Sequence, residues 1–443
     1  MSHYKPYPAY KNSGVEWIGP VPEHWRIAPI KALAQVINGA TPDSGNPDYW
    51  DGDIAWFTPA DLDNENATEL SEPRRKITAI GLASCAARLT RAGSVVLSTR
   101  APVGSVGVTQ TPSATNQGCR TLVPAVGIPS NFLAETLVAA RAELSLRSNG
   151  TTFQELSTDS LASLRVPLPP PTEQSAISAA LDRETARIDA LIEKKTRFID
   201  LLKEKRQALI THTVTKGLDP NVKMKDSGVE WIGEVPEHWN ILSTKRLFHE
   251  RDERSATGTE ELLTVSHLTG VTPRSEKTVY MFEAETTEGY KICHVGDLVI
   301  NTLWAWMGAM GTCRQAGIVS PAYNVYAPLP TLVPELVDLI ARMPVFAAEV
   351  TRYSKGVWTS RLRLYPEGFF EVRFAVPPLK EQEVIVNRVL RKTQRIDALI
   401  DTTERSIALL TERRSALITA AVTGQIDLRD ASSSESESNP CRT

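Results

Sequence analysis

Two stretches of the chain carry apolar residues at the spacing of a long helix. In residues 167–219 and 377–427, apolar positions recur every three or four residues, and no proline or glycine interrupts the central part. An a/d series of this kind buries a narrow stripe against one partner helix. The predicted seam positions are Ile177, Leu181, Ile188, Leu191, Phe198, Leu202, Leu209, Ile385, Val389, Ile396, Leu399, Leu410 and Leu417.

The two helical stretches are copies of each other, and a tryptophan-rich segment is copied with them. RIDALI occurs at residues 187–192 and 395–400, and NSGVEWIGPVPEHWRI at residues 12–27 differs in only three positions from residues 226–241. Two equivalent units are usually related by a two-fold axis, which predicts that the two helices pair antiparallel in one molecule. Packing of each helix on its own lobe, or pairing with another protein, is the alternative.

This repeat predicts an α+β fold in which two globular lobes are joined by two long antiparallel coiled-coil helices with internal pseudo-two-fold symmetry. Each helix of about 40 residues would be about 60 Å long, with Gly217 and Gly424 near the ends as left-handed stops. The predicted parts are the first lobe (residues 1–166, with framework segment 11–27), the central helix (167–219), the second lobe (220–376, with framework segment 225–241), the C-terminal helix (377–427) and a disordered tail (428–443).

Each framework segment combines acidic, histidine and tryptophan residues, which allows two interpretations. Glu23 and His24, with their copies Glu237 and His238, have the side chains of acid–base chemistry. The same segments hold proline and glycine in the centre and two tryptophans, which is typical of a turn clamped by buried rings. We favour the turn, because both copies occupy equivalent framework positions.

The regions between the repeats, residues 28–166 and 242–376, share a pattern but few side chains. VVLS at residues 95–98 and LVIN at residues 298–301 each follow a glycine, and each is followed by a stretch with two spaced glycines. Flanks that are nearly identical around divergent centres indicate two modules of one fold that recognise two different targets.

Charge is distributed unevenly, although the net charge is only −3. Residues 73–134 contain no Asp or Glu, and a second group of cations lies between residues 349 and 367. Arg and Lys attract phosphates, and Arg, Asn and Gln can read base edges. Trp304 and Trp306 are interpreted as core residues. The predicted DNA-binding residues are Arg74, Arg75, Lys76, Arg88, Arg91, Arg100, Asn116, Gln117, Arg120, Arg314, Arg352, Lys355, Arg361 and Arg363.

Several classes of protein are not supported by the sequence. It has no phosphate-binding G-x-x-x-x-G-K-S/T loop, no D/N-P-P-F/Y loop of base-amino methyltransferases, and five scattered cysteines without a C-x-x-C pair. No apolar run is long enough to span a bilayer, and residues 1–10 lack a signal-peptide pattern. We therefore expect a cytoplasmic protein without a catalytic or metal site on this chain.

The framework segment SGVEWIGPVPEHW, the PPPTEQ…RIDALI…RQALIT helix with its repeat, and the GDLV…GIVSPAY run (residues 296–323) resemble the specificity subunit of type I restriction-modification systems. The resemblance covers about residues 10–427, and it is weakest in the divergent regions. It implies two target recognition domains, each reading one half of an asymmetric bipartite DNA site, and paired helices that fix the number of unread bases between the halves.

The resemblance also implies partners and cofactors. The helices would dock two modification (methyltransferase) subunits, which bind S-adenosylmethionine, and restriction (translocase and nuclease) subunits would join with ATP and Mg. The repeated helix charges Arg187, Asp189, Arg395 and Asp397 suit such docking. The alternative function is a bivalent protein-binding scaffold without DNA contact, which would explain the repeat and the net negative charge but explains the acid-free basic stretch less well.

Overall fold

A computed structural model describes residues 4–62, 68–148, 155–277, 286–356 and 362–429. The chain divides into two compact units, and the division runs through the long helices rather than at their ends. Unit 1 comprises residues 1–195 and 405–443, and unit 2 comprises residues 196–404. Nearly all of the predicted tail lies outside the described residues, although Leu428 is buried and Arg429 pairs with Asp427.

Unit 1 contains twelve short strands and four short helices among its described residues. The strands are β1 (Tyr10–Asn12), β2 (Pro20–Pro22), β3 (Arg26–Pro29), β4 (Ala34–Asn38), β5 (Trp50–Phe57), β6 (Thr68–Leu70), β7 (Arg75–Ile77), β8 (Val95–Ser98), β9 (Val106–Thr109), β10 (Ser113–Thr115), β11 (Cys119–Pro124) and β12 (Arg165–Leu168). The helices are α1 (Ala79–Ala83), α2 (Ser130–Ala139), α3 (Arg141–Leu146) and α4 (Thr158–Ala162).

A five-stranded sheet in the order β4-β11-β8-β9-β6 forms the centre of this unit. All four residues of β8 are buried, as expected for the short apolar run VVLS. The same unit contains a three-stranded sheet in the order β10-β5-β7. The strand β12, which directly precedes the central helix, pairs antiparallel with β3 near the start of the lobe.

The central helix α5 (Pro171–Lys216) begins with a proline and is followed directly by Gly217. Proline suits the first turn because its missing N–H would have no partner there. Gly217 has a φ of 77°, which is the left-handed conformation that was predicted to stop the helix.

Unit 2 repeats the topology of unit 1 around its own strands. The strands are β13 (Met224–Asp226), β14 (Glu234–Pro236), β15 (Asn240–Ser243), β16 (Phe248–Arg251), β17 (Leu263–Ser266), β18 (Gly270–Pro273), β19 (Lys291–Cys293), β20 (Leu298–Asn301), β21 (Met310–Thr312), β22 (Gly317–Val319), β23 (Tyr323–Pro328) and β24 (Arg373–Val376). The helices are α6 (Pro334–Ala341), α7 (Pro344–Arg352) and α8 (Pro366–Glu371), and the second long helix is α9 (Leu379–Val422).

The sheet order β16-β23-β20-β21 of unit 2 matches β4-β11-β8-β9 of unit 1. Likewise β15 pairs with β24 as β3 pairs with β12, and β13 pairs with β14 as β1 pairs with β2. The α+β class, the shared fold of the two lobes and the two long helices are therefore confirmed.

Within each unit, half of α5 pairs antiparallel with half of α9. In unit 1, Ile177 and Leu181 share a core cluster with Leu417 and Ile418. In unit 2, Ile210 and Val214 share a core cluster with residues 385–389. In both units the start of one helix thus lies against the end of the other, as the repeat predicted.

Eight of the thirteen predicted seam residues are buried, and the three exposed ones lie towards the middle of the helices. Leu191, Phe198 and Leu399 are 48%, 45% and 50% exposed, and Leu209 and Leu410 are only half-buried. The buried stripe of α5 instead runs through Ile177, Ile188, Ile199 and Ile210, each eleven residues after the last, and α9 repeats this spacing at Ile385, Ile396, Ile407 and Ile418, of which Ile407 alone is half-buried. An eleven-residue repeat, at 3.67 residues per turn, stays on one face of a nearly straight helix, whereas a seven-residue repeat drifts.

Candidate nucleic-acid interface

The framework segments join the two long helices within each unit. In unit 1, the Glu173 carboxylate at the start of α5 accepts a hydrogen bond from Trp25 Nε1 at 2.8 Å and lies 2.7 Å from His24 Nε2. In unit 2, the Glu381 carboxylate at the start of α9 accepts a hydrogen bond from Trp239 Nε1 at 3.1 Å and lies 2.8 Å from His238 Nε2. His24 and His238 therefore pair with glutamates at the helix starts and not with the neighbouring Glu23 and Glu237, which agrees with the interpretation as a clamped turn.

The same tryptophans also contact the end of the other helix. Trp25 and Trp239 are fully buried. A side chain at Gly424, just after α9, would collide with Pro22 and Trp25, and one at Gly217 would press on Trp239. Each buried tryptophan therefore fills the junction between the start of one long helix and the end of the other. Trp17 and Trp231 are only half-buried, so one ring in each segment forms the clamp.

A symmetric pair of salt bridges connects the helices nearer their centres. Arg414 Nε lies 2.9 Å from Asp189 Oδ1 in unit 1, and Arg206 Nε lies 2.8 Å from Asp397 Oδ1 in unit 2. The two salt bridges are equivalent, because Asp189 corresponds to Asp397 in the sequence repeat and Arg206 corresponds to Arg414. Asp189 and Asp397, whose charges were expected to suit docking of partner subunits, are 45% and 46% exposed while paired, so that expectation stays a prediction.

Several of the predicted DNA-binding residues of the first lobe hold the lobe together. The Arg120 side chain is only 12% exposed and donates hydrogen bonds to Thr158 Oγ1 and to the carbonyl oxygens of Gln117 and Cys119. Burial lowers the pKa of Arg120. Arg91 Nη2 donates to the Pro124 carbonyl at 2.7 Å. Arg120 is therefore largely engaged within the lobe, whereas Arg91 makes this hydrogen bond and stays exposed.

The polar side chains of the turn before β11 are also engaged. Asn116 Oδ1 accepts from the Gly118 amide at 3.0 Å, and Gln117 accepts a hydrogen bond from Thr41 Oγ1. Cations remain exposed on the same lobe. They are Arg74, Arg75, Arg88, Arg91 and Arg100, and Lys76 is half-buried. Arg75 stacks on Trp50, and Lys76 pairs with Glu72.

In the second lobe, Arg314, Lys355 and Arg363 are exposed. Arg352 pairs with Glu230 of the framework segment at 2.9 Å and with Glu349 at 3.3 Å, which makes it a link between α7 and the framework. Arg361 lies outside the described residues.

The loops that follow β8 and β20 occupy equivalent positions and carry different chemistry. The Leu156 amide donates to the Thr99 carbonyl after β8, as the Leu364 amide donates to the Thr302 carbonyl after β20. In unit 1 this loop presents Arg100, whose Nη2 lies 3.2 Å from Glu155 Oε2. In unit 2 it presents Trp304, which is 50% exposed, so its assignment to the core is wrong. The missed signal is the W-A-W spacing directly after a buried strand.

A buried carboxyl lies where α2 packs on the helix pair of unit 1. Glu135 is 8% exposed and accepts a hydrogen bond from Ser178 Oγ at 3.4 Å. Burial, followed by the charge of Asp182, raises the pKa of Glu135 well above its usual range, although Ser178 and Arg414 oppose the shift. Glu135 thus holds its proton longer in the folded protein than in the unfolded chain.

This shift predicts a stability that falls as pH rises. Between the ordinary pKa of about 4.3 and the raised pKa, the folded state binds more protons than the unfolded state, so the stabilising contribution is lost as pH increases. We expect Glu135→Gln to stabilise unit 1 by on the order of 1 kcal/mol at pH 8 and to leave it nearly unchanged at pH 4. Urea unfolding at both pH values checks this. Glu16→Gln, at an exposed acid of the same unit, should change neither, and an equal gain at both pH values would contradict the assignment.

Within the ranges described, no three His, Cys, Asp or Glu side chains are grouped to hold a metal ion. The same residues include no helix that is long and apolar enough to cross a membrane.

Comparison with known proteins gives a family match over part of the chain. Residues 22–199 match the family model described as "Type I restriction modification DNA specificity domain". The chain is 36% identical over 166 residues to the type I restriction enzyme MjaIX specificity subunit of Methanocaldococcus jannaschii, and the match covers 37% of this chain and 38% of that protein.

Two solved structures share the fold over nearly the whole chain. A chain from a type I R-M system structure has a TM-score of 0.63 at 16% identity, covering 92% of this chain and 99% of that one. The HsdS subunit of Thermoanaerobacter tengcongensis has a TM-score of 0.51 at 16% identity, covering 92% and 98%. Residues 22–199 therefore match the DNA specificity domain of type I restriction-modification systems, and the chain as a whole shares its fold with the HsdS subunit.

Proposed function

We propose that this chain is the non-catalytic DNA-specificity subunit of a type I restriction-modification complex, and that each lobe reads one half of a bipartite, asymmetric DNA site. One observation carries the proposal. Two lobes of the same topology, on a repeated frame, expose different side chains at the equivalent loops after β8 and β20. Divergent chemistry at one structural position is what two half-sites of different sequence require.

We further propose that α5 and α9 act as a spacer between the lobes. The helices contain 46 and 44 residues, and each passes from one unit into the other. A helix of that length extends about 65 Å, and pairing by apolar stripes and salt bridges resists bending. The number of unread base pairs between the half-sites would then be set by helix length.

Exposed leucines support docking of two modification subunits on the helices. Leu191 and Leu399 are equivalent in the repeat and are 48% and 50% exposed, and Leu201 and Leu409, also equivalent, are 54% and 66% exposed. Two copies of one apolar surface suit two copies of one partner. In this proposal S-adenosylmethionine belongs to the modification subunits, and ATP and Mg belong to the restriction subunits.

Exchange of one lobe tests the proposal. We expect that replacing residues 28–166 with the corresponding stretch of another specificity subunit abolishes methylation of one half-site and creates a new one, because each lobe has its own core. Methylome sequencing of cells that express the variant with its modification subunit measures this. The reciprocal exchange of residues 242–376 is the matched control and should alter only the other half-site. A change of both half-sites in either variant would contradict independent reading.

A bivalent scaffold without DNA contact remains the second candidate, favoured by the exposed leucines. The two functions differ in salt dependence, because phosphate contacts release counterions. We expect filter binding of the chain with its modification subunits to weaken steeply between 50 and 200 mM salt; no DNA retention at either concentration would support the scaffold.

A further inference from the structure

A pair of tryptophans forms an exposed aromatic surface in unit 2. Trp304 is 50% exposed, and its ring stacks on Trp306 with centroids 6.3 Å apart and an interplanar angle of 17°. Both follow β20, whose four residues are buried. The exposed indole face is therefore available for contact with another molecule, and burial there would be favourable.

The surface is held in place by the loop that carries it. Trp306 Nε1 donates to the Leu303 carbonyl at 3.1 Å, and the Trp304 amide donates to the Asn301 carbonyl at 3.0 Å. A short 3-10 helix, Ala305–Met307, then ends at Gly308, whose φ of 84° favours glycine. These bonds fix the loop before any ligand arrives, which lowers the ordering cost of binding.

Cations adjoin this aromatic surface. The Leu364 amide donates to the Thr302 carbonyl at 3.1 Å, which brings residues 363–365 alongside the tryptophan loop. Lys355 pairs through its backbone with Arg363, and its Nζ lies 6.0 Å from the ring centroid of Tyr365, a residue 42% exposed. Aromatic faces interleaved with Lys and Arg are typical of surfaces that bind nucleic-acid bases and phosphates together.

We propose that Trp304 stacks on the face of a DNA base within the half-site read by unit 2. The proposal rests on the proposed function and adds a mode of contact to it. In a duplex both faces of each base are covered by the neighbouring base pairs, so the indole would enter an opened base step or meet a base turned out of the stack. The neighbouring Lys355 and Arg363 are suited to the adjacent phosphates. The equivalent loop of unit 1 presents Arg100 with Glu155, so the two lobes would contact DNA by different chemistry.

Binding of the complete complex tests the contact. The chain with its modification subunits is titrated with a fluorescein-labelled duplex that carries the site methylated by the wild-type complex. We expect Trp304→Ala to raise the Kd about ten-fold and Trp304→Phe to raise it much less. Because the indole is uncharged, Trp304→Ala should leave the slope of log K against log salt unchanged, whereas Lys355→Ala should reduce that slope by about one.

A control variant and three outcomes decide the inference. Val295 is 68% exposed and precedes β20, whereas Trp304 follows it, so Val295→Ala should bind DNA as the wild type does. A Trp304→Ala complex that binds with unchanged Kd overturns the stacking contact. So does a Trp304→Ala chain that no longer assembles with the modification subunits, since the surface would then serve a protein. If the wild-type complex does not bind the duplex at all, the proposed function fails instead.

Discussion

Lengthening both long helices by two eleven-residue repeats is expected to separate the two half-sites by about ten additional base pairs, with both half-sites unchanged. The insertion is made after Lys195 in α5 and after Thr403 in α9, which are repeat-equivalent positions near the point where the helices pass between the units. Two such repeats add about 33 Å of helix, close to the ~34 Å of one turn of DNA. The lobes should therefore meet the same face of the duplex one turn further apart.

A single eleven-residue repeat in both helices is the matched control. It adds about 16 Å, or half a turn of DNA, so the second half-site would face away from its lobe and methylation should be lost. Both insertions keep the isoleucine stripe in register, and circular dichroism should show intact helices in each. Methylome sequencing gives the spacer of each variant. An unchanged spacer in the longer variant would disprove the spacer role of α5 and α9.

Trp25→Ala is expected to destabilise unit 1 by about 3–5 kcal/mol, the usual loss for removing a fully buried tryptophan. The substitution empties the junction between the start of α5 and the end of α9, and it leaves Glu173 without its indole donor. Hydrogen exchange followed by mass spectrometry locates the effect. Amides of residues 177–188 and 410–422 should lose protection, because they share the core cluster with Trp25.

Two further variants make this prediction specific. Trp239→Ala should produce the same loss in residues 210–214 and 385–389 of unit 2, since Trp239 occupies the equivalent junction. Trp17→Ala, at a half-buried ring of the same framework segment, should cost less than Trp25→Ala. If Trp17→Ala and Trp25→Ala lowered the free energy of unfolding of unit 1 equally, the buried indole of Trp25 would not be the main stabilising group of the junction.

The framework was largely predictable because its signals are local or repeated. Apolar spacing indicated α5 and α9, Gly217 and Gly424 marked their ends, and the repeat offset indicated that the helices pair antiparallel. The stripe at the helix centres was misjudged, because Leu191 and Ile192, or Phe198 and Ile199, are adjacent apolar residues. Only the packing of the partner helix decides which member of such a pair is buried.

The DNA-binding residues of the candidate interface stay a prediction, because a cation in the sequence says nothing about its partners. Arg120 and Arg352 were counted as DNA-binding residues, yet one is hydrogen-bonded within its lobe and the other pairs with Glu230, more than a hundred residues away. Trp304 was assigned to the core because most tryptophans are buried. Its exposure depends on the conformation of the loop after β20, in which Trp304 directly precedes the 3-10 helix Ala305–Met307.

The sequence alone determined that this protein is a duplicated frame with two divergent lobes, because repeats, helical periodicity and glycine stops are read from residues close together in the chain. The tertiary structure alone decided which charges are free and which residues form the junctions. Glu173 meets Trp25, and Asp189 meets Arg414, across 148 and 225 residues of chain. Contacts over such separations depend on how the whole chain folds, which no local pattern specifies.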